Sequence, residues 1–244
     1  MPSTVSWSSD GVGEQMFVGH IGMGLALKRA EPRLNLGVLI FCSLFLDFLL
    51  GVFVLSGVEK VIVPENFARL HYLLFQFPYS HSLVWVLFWS AGAACIGLLF
   101  LHGKDWRKRG AVVIGLAVFI HFVGDIIEHP PQLHVAGSHS TRLGLGLWDH
   151  LGWALALEVL LLVLGLWLYL SVTITHRVWK RRGVLILLSL LTAFAVAGQL
   201  TSENAPSPQV NAAVWIITPW ILGAACWWLD TDSASLDRGW KQAV

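Results

Sequence analysis

Val84-Trp85-Val86-Leu87-Phe88-Trp89-Ser90-Ala91-Gly92-Ala93-Ala94-Cys95-Ile96-Gly97-Leu98-Leu99-Phe100-Leu101 runs for eighteen residues without a charge. An apolar run of ~18 or more residues is long enough to cross a bilayer core as a helix. Uncharged apolar runs recur at 159–172, 183–200 and 212–229. Over the 244 residues, 56% are hydrophobic and 13% charged, and the mean hydropathy is +0.67. Soluble domains carry about 25% charged residues. The expected fold is therefore all-α, a polytopic transmembrane helix bundle in one domain spanning 1–244. Seven helices are predicted at about 12–28, 34–57, 82–101, 111–128, 148–172, 183–200 and 212–229.

The loops between these helices orient the bundle. Lys28, Arg29 and Arg33 follow the first helix, Lys104, Arg107, Lys108 and Arg109 the third, and Arg177, Lys180, Arg181 and Arg182 the fifth. The alternate loops hold only Lys60, Arg69 and Arg142. Short loops rich in Lys and Arg stay cytoplasmic. The N-terminus is then outside and the C-terminus, with Asp230, Asp232, Arg238 and Lys241, is cytoplasmic, in a cell (inner) membrane. The first fifteen residues contain no Lys or Arg, the reverse of a secretory signal, so the first helix should persist in the mature protein. A formal net charge of +1 makes no case for nucleic acid. The expected partner is the lipid bilayer, and oligomeric state is not legible. Cys42, Cys95 and Cys226 each lie in an apolar run and read as small packing residues. Residues 58–80 form a longer outer segment in which an interfacial helix is expected.

Ionisable side chains in hydrocarbon are expensive and mark functional sites. His20 lies in the first predicted helix and Asp47 in the second. His81 opens the third, His121 and Asp125 lie in the fourth, and Asp149 and His150 open the fifth. At 1.5 Å per residue, Asp47 stands about 20 Å, and Asp125 about 21 Å, from the cytoplasmic starts of their helices. The remaining groups lie near outer helix ends, so polar residues from five helices converge on the outer half of the bilayer. His121 and Asp125, four apart, share one helix face. That spacing suits two ligands of one metal, or a histidine oriented by a carboxylate. A lone carboxylate–histidine pair would read as structural; five such groups at one depth point to a metal or catalytic site. Nitrogen and oxygen donors without thiolate suit zinc first, and also manganese or iron. The predicted ligands are His20, Asp47, His81, His121 and Asp125, with Asp47 and Asp125 also as catalytic groups. Glu158 neutralises a histidine, lines a pathway or packs structurally. His71, His134 and His139 read as solvated outer-loop residues, and His102 and His176 as members of basic loops. Glu128 and His129 close the fourth helix. Ser80 and Ser82 flank His81 without a nucleophile elbow. Gly144 and Gly146 follow no strand and read as a close turn into the fifth helix.

At these residues the chain resembles a family of bacterial multi-spanning proteins known as membrane-bound metal-dependent hydrolases. The family shows an early histidine, an aspartate motif in the second helix, a Thr-His-Ser-Leu-like element and a His-x-x-x-Asp. Here His20, Asp47, Ser80-His81-Ser82-Leu83 and His121-Phe122-Val123-Gly124-Asp125 stand in that order, across about 16–130. The family's Pro-Asp-x-Asp becomes Leu46-Asp47-Phe48-Leu49, without the proline or the second carboxylate. The Gly144–Trp148 segment and Glu158 also look like a subgroup of such proteins. The resemblance implies a divalent metal and hydrolysis at the outer interface, on a lipid or phosphoester. The residues alone leave two alternatives. One is a transporter or permease using His, Asp and Glu as an ion pathway, which the almost wholly apolar inner halves oppose. The other is a structural membrane protein with a buried polar network.

Overall fold

The computed structural model describes residues 17–175, 177–231 and 233–235. Nine α-helices are present among them: α1 (Val18–Leu27), α2 (Leu36–Ser43), α3 (Phe45–Leu55), α4 (Phe67–Leu70), α5 (Leu83–Phe100), α6 (Arg107–Glu128), α7 (Leu151–Val172), α8 (Val178–Thr201) and α9 (Pro208–Asp230). Five stretches are long and apolar enough to cross a membrane: α5, α6, α7 with the 3-10 turn before it, α8 and α9. Large apolar side chains such as Leu99, Trp153 and Leu190 face outward, as lipid contact requires. The chain is a multi-pass helical membrane protein.

The predicted helix over 34–57 is two helices, α2 and α3, meeting at 48° around Leu44 and together long enough for a sixth span. No Gly or Pro stands at the break. The His121 ring nitrogen Nδ1 instead takes the Ser43 carbonyl, 2.7 Å away. A side chain inserted into the backbone ladder is a recognised cause of a sharp bend. The first expected helix, over 12–28, begins outside the described residues; its described part is the ten-residue α1.

Small residues bring the backbones together, as membrane helices require in the absence of a hydrophobic drive. α1 crosses α7 at Gly22 and Gly165, so closely that a Cβ on Gly165 would strike the Gly22 carbonyl. α2 meets α9 at Gly37 and Gly223, and α3 meets α9 where Gly51 faces Ala212 and Ile216. Gly97 and Gly115 seat α5 against α6. α1 and α2 also pack on each other and on α6, and α3 packs on α6.

Three predicted basic loops meet at one end of the bundle. Arg33 makes a two-pronged pair with Glu31 and reaches Asp105 at 3.2 Å, while Arg109 lies 3.9 Å from Glu31. Lys180 donates to Thr231 Oγ1 at 2.6 Å. Buried Lys28 pairs with buried Asp230, which also accepts from the Leu36 N–H at 2.8 Å and the Tyr169 hydroxyl at 3.2 Å. This knot ties α1, α2, α7 and α9 together. The expected His176 and the tail residues Asp232, Arg238 and Lys241 lie outside the described residues.

At the other end, residues 58–80 form a hairpin and not the expected interfacial helix. Strands β1 (Lys60–Ile62) and β2 (Leu74–Gln76) pair antiparallel, and only the four-residue α4 lies between them. Alternate burial of Val61 and Phe75 packs the hairpin on the core, so strand periodicity wins over helix. A shorter hairpin pairs β3 (Leu133–His134) with β4 (Arg142–Leu143). It buries His134, which the sequence reading left in solvent. His139 is exposed, as expected, and His71 is half-buried with a left-handed backbone, φ 57°.

Candidate metal centre

The site is assembled from three helices, α1, α3 and α6, and the segment that enters α5. α6 presents His121 and Asp125 one turn apart on its buried face. The helix ends at Glu128, because Pro130 pushes His129 into an extended conformation. The freed carbonyls of Ile126 and His129 are taken by Leu145 N–H and Gly146 N–H, both at 2.8 Å. Gly144 (φ 145°) lies so close to the His129 and Pro130 backbone that a side chain would not fit. The Gly144–Gly146 turn is thus the C-terminal cap of α6, and it fixes the height of Asp125.

The five predicted site residues come together. His81 Nε2 lies 3.3 Å from His121 Nε2. Asp125 Oδ2 is 3.3 Å from His121 Nε2 and 3.6 Å from His81 Nε2. Asp47 Oδ1 is 3.6 Å and 3.9 Å from the same two nitrogens. His20 Nε2 is 3.1 Å from Asp125 Oδ1, and its ring stacks on His121 at 3.6 Å between centroids. All are buried except Asp47, whose side chain is 24% exposed toward an adjoining cavity. Two triads have metal-holding geometry, His20–His121–Asp125 and Asp47–His81–His121, and they share His121.

Hydrogen bonds remote from the cluster decide where the imidazole protons sit. His121 Nδ1 faces a carbonyl, which can only accept, so Nδ1 carries the hydrogen, and in the neutral ring Nε2 carries a lone pair. His81 Nδ1 lies 2.8 Å from Ser80 Oγ, whose hydroxyl donates to Glu59 Oε2 at 2.6 Å. Glu59 Oε1 accepts the Tyr79 and Ser80 N–H groups, both at 2.8 Å. Ser80 therefore accepts from His81 Nδ1–H, and His81 Nε2 also points a lone pair into the cluster. Burial pushes the Glu59 carboxyl above its ordinary value, and the Ser80 hydroxyl and the two N–H groups oppose that shift. Burial also holds His81 well below the usual imidazole range, which keeps it neutral.

His129 has the opposite polarity. The Phe75 N–H donates to Gln132 Oε1 at 2.9 Å, which turns the Gln132 amide N–H toward His129 Nδ1 at 3.1 Å. The His129 proton then sits on Nε2, 3.8 Å from Asp125 Oδ1. Burial lowers its pKa to about 4. His129 is thus a neutral donor directed at Asp125.

Asp125 accordingly has two different faces. Oδ1 meets His20 and His129, whereas Oδ2 is buried with no hydrogen-bond partner. Its neighbours there are two imidazole lone pairs, with a second carboxylate beyond them. Converging electron-rich atoms with no hydrogen among them repel one another, and a cation relieves that repulsion. Tetrahedral bonds of 2.0–2.2 Å put ligand atoms about 3.3–3.6 Å apart. The His81–His121–Asp125 triangle has sides of 3.3, 3.3 and 3.6 Å. The residues present fit a divalent ion.

Beside the cluster lies a cavity of about 40 Å³, lined by Asp47, His81 and Asp125 on one side and by Phe75, Trp148 and Trp215 on the other. At ~10–15 Å³ per water centre it has room for about three waters. Comparison with known protein families, curated proteins and solved structures finds no match to this chain.

Two residues flagged in the sequence lie outside the cluster. Asp149 is exposed and accepts from Tyr72 OH at 2.8 Å. Glu158 accepts the Phe17 and Val18 N–H groups at 3.2 and 3.0 Å. It therefore caps α1 from across the bundle, two residues before His20. Three residues escaped sequence reasoning: Glu59, Ser80 as a relay, and Gln132. An acidic residue in an outer loop 22 positions before His81 carries no local signal.

The relay makes a sharp prediction. In Glu59→Gln the oxygen is retained by the two backbone N–H groups, so the new amide N–H faces Ser80 Oγ. Ser80 then donates to His81, and the His81 proton moves to Nε2, into the cluster. Metal affinity, measured by competition with a chromophoric chelator, should fall about 10–100-fold at unchanged thermal stability. Unchanged affinity would show that His81 Nε2 is not a ligand.

Proposed function

We propose that this protein is a membrane-embedded, metal-dependent hydrolase. His81, His121 and Asp125 would hold the ion, with Asp47 as a fourth, cavity-facing ligand or base. His20 and His129 would hold Asp125 from its other oxygen. The observation that carries this reading is Asp125 Oδ2, buried and unpartnered opposite two histidine lone pairs. Zinc suits the short, nitrogen-rich donor set. A divalent ion there would lower the pKa of water and polarise an ester or phosphoryl oxygen. The chain's own contribution is to fix the donors. The α6 cap sets Asp125, the broken α2–α3 span supplies the Ser43 carbonyl that orients His121, and the hairpin supplies Glu59 for His81. Asp47, partly open to the cavity, stands where it can take a proton from a water beside the cluster. Trp148, Trp215, Phe75 and Phe77 restrict water to that cavity. The resemblance to membrane-bound metal-dependent hydrolases, which rests on His20, Asp47, His81, His121 and Asp125, supports the same reading, as does an outer-face location inferred from the loop charges.

The test is hydrolysis by protein purified in mild detergent. Chromogenic carboxylate ester and phosphodiester substrates are offered before and after chelation, with zinc added back. Turnover that is lost to chelator, restored by zinc and reduced at least 100-fold in Asp47→Asn is the expected result. Chelator-resistant turnover, or none of either substrate by the zinc-loaded protein, would reject the hydrolase assignment.

A further inference from the structure

One wall of the metal cavity is formed by the α2–α3 span and α9, both interrupted at its level. Leu44, at the break between α2 and α3, and Pro219, inside α9, both line it. Pro219 has no N–H for the Trp215 carbonyl, and Trp215 lines the same cavity. From there a second concavity follows the α2–α9 seam toward the basic end of the bundle. Its volume is about 430 Å³, and Val38, Phe41, Trp220, Ala224 and Trp227 line it around the close approach of Gly37 and Gly223. The two are lined by neighbouring residues: consecutive Pro219 and Trp220 line one and the other, and Phe41 lies one turn from Leu44. Trp220 stands at the junction against Phe41 and Phe48, at 4.6 and 6.1 Å between rings.

The groove is almost wholly apolar and faces the same lipid-exposed side as Trp220 and Trp227. Its volume falls within the ~300–1,000 Å³ of ordinary ligand sites. From Trp220 to Trp227 it extends seven residues along α9, about 10 Å. A polar, cation-competent cavity set beside an apolar trough matches one kind of molecule. We propose that the seam between α2–α3 and α9 is the binding site for an amphiphile, with an anionic phosphate or carboxylate-ester head at the metal centre and one acyl chain in the trough. Such a molecule enters sideways from the bilayer, its head toward the hairpin end and its chain toward the basic end, as a lipid lies beside the helices. The proposal rests on the metal-site reading and supplies its substrate class.

The probe is hexadecyl phosphate carrying a diazirine at the end of its chain, photolysed with the zinc-loaded protein in phosphatidylcholine nanodiscs. Labelled peptides are mapped by mass spectrometry. Labels should concentrate on residues 37–41 and 220–227 and be displaced by unlabelled hexadecyl phosphate far better than by hexadecanol. Ala224→Phe, which fills the trough from an exposed position, should cut seam labelling at least tenfold while metal content stays at the wild-type value; Val38→Phe provides a second filling variant. Labels spread equally over the lipid-facing sides of α5 and α8, or seam labelling that neither variant reduces, would overturn the proposal. Equal competition by hexadecanol would also overturn it, because the head would then play no part. Seam labelling without turnover of any ester rejects hydrolysis and leaves the amphiphile site standing, whereas turnover without seam labelling does the reverse.

Discussion

If the proposed centre holds its ion, replacing His121 by Ala should take the purified protein from stoichiometric metal to none. His121 belongs to both metal-competent triads and to the His81–His121–Asp125 triangle, so its loss breaks every one of these sets. His20→Gln has a different outcome. His20 meets Asp125 through the oxygen that faces away from His81 and His121, and the Gln amide can still donate to it. That variant should keep its metal at about 10–100-fold weaker affinity, the usual penalty for losing a group that orients a ligand. Elemental analysis of the two variants beside the wild type, in one detergent, reads both outcomes. Metal retained in His121→Ala would remove the proposed centre altogether. Metal lost completely in His20→Gln would move His20 from orienting group to ligand.

Lys28→Met should be the most destabilising single change at the other end of the bundle. It leaves the Asp230 carboxylate buried without its cation, and breaking a buried pair in this way costs about 3–5 kcal/mol. The Leu36 N–H and the Tyr169 hydroxyl would still contact Asp230, but neither carries charge. The double variant Lys28→Met, Asp230→Asn removes the stranded charge and keeps an oxygen for Leu36. It should therefore melt above the single variant, although it has lost more of the original contacts. Thermal unfolding in detergent, followed by tryptophan emission, separates the two. A Lys28→Met melt equal to that of the wild type would mean that Asp230 keeps access to water.

Much of this architecture is written locally. The five long spans are single apolar stretches, and hydropathy needs no partner to be read. His121 and Asp125 share a face because four residues make about one turn. The clustering of basic residues in alternate loops anticipated that Arg33 and Arg109 would share one end. Other features carried no such signature. Nothing in Cys42-Ser43-Leu44-Phe45 announces a bend, because its cause is a ring from α6. The hairpin over 60–76 reads as an ambiguous amphipathic segment until Val61 and Phe75 find the core. His134 passed for a loop residue because nearby Gly and Ser obscured a two-residue strand.

By itself, the sequence determined a multi-pass helical protein and which imidazoles and carboxylates stand at a common depth, since hydrophobic length and helical rise are properties of consecutive residues. Only the tertiary structure decided which nitrogen of each ring is bare. That assignment depends on Ser43, on Glu59 through Ser80, and on Phe75 through Gln132. A proton's position is set by the acceptor opposite it, and here those acceptors come from distant parts of the chain that only folding brings within 3 Å or so of the rings.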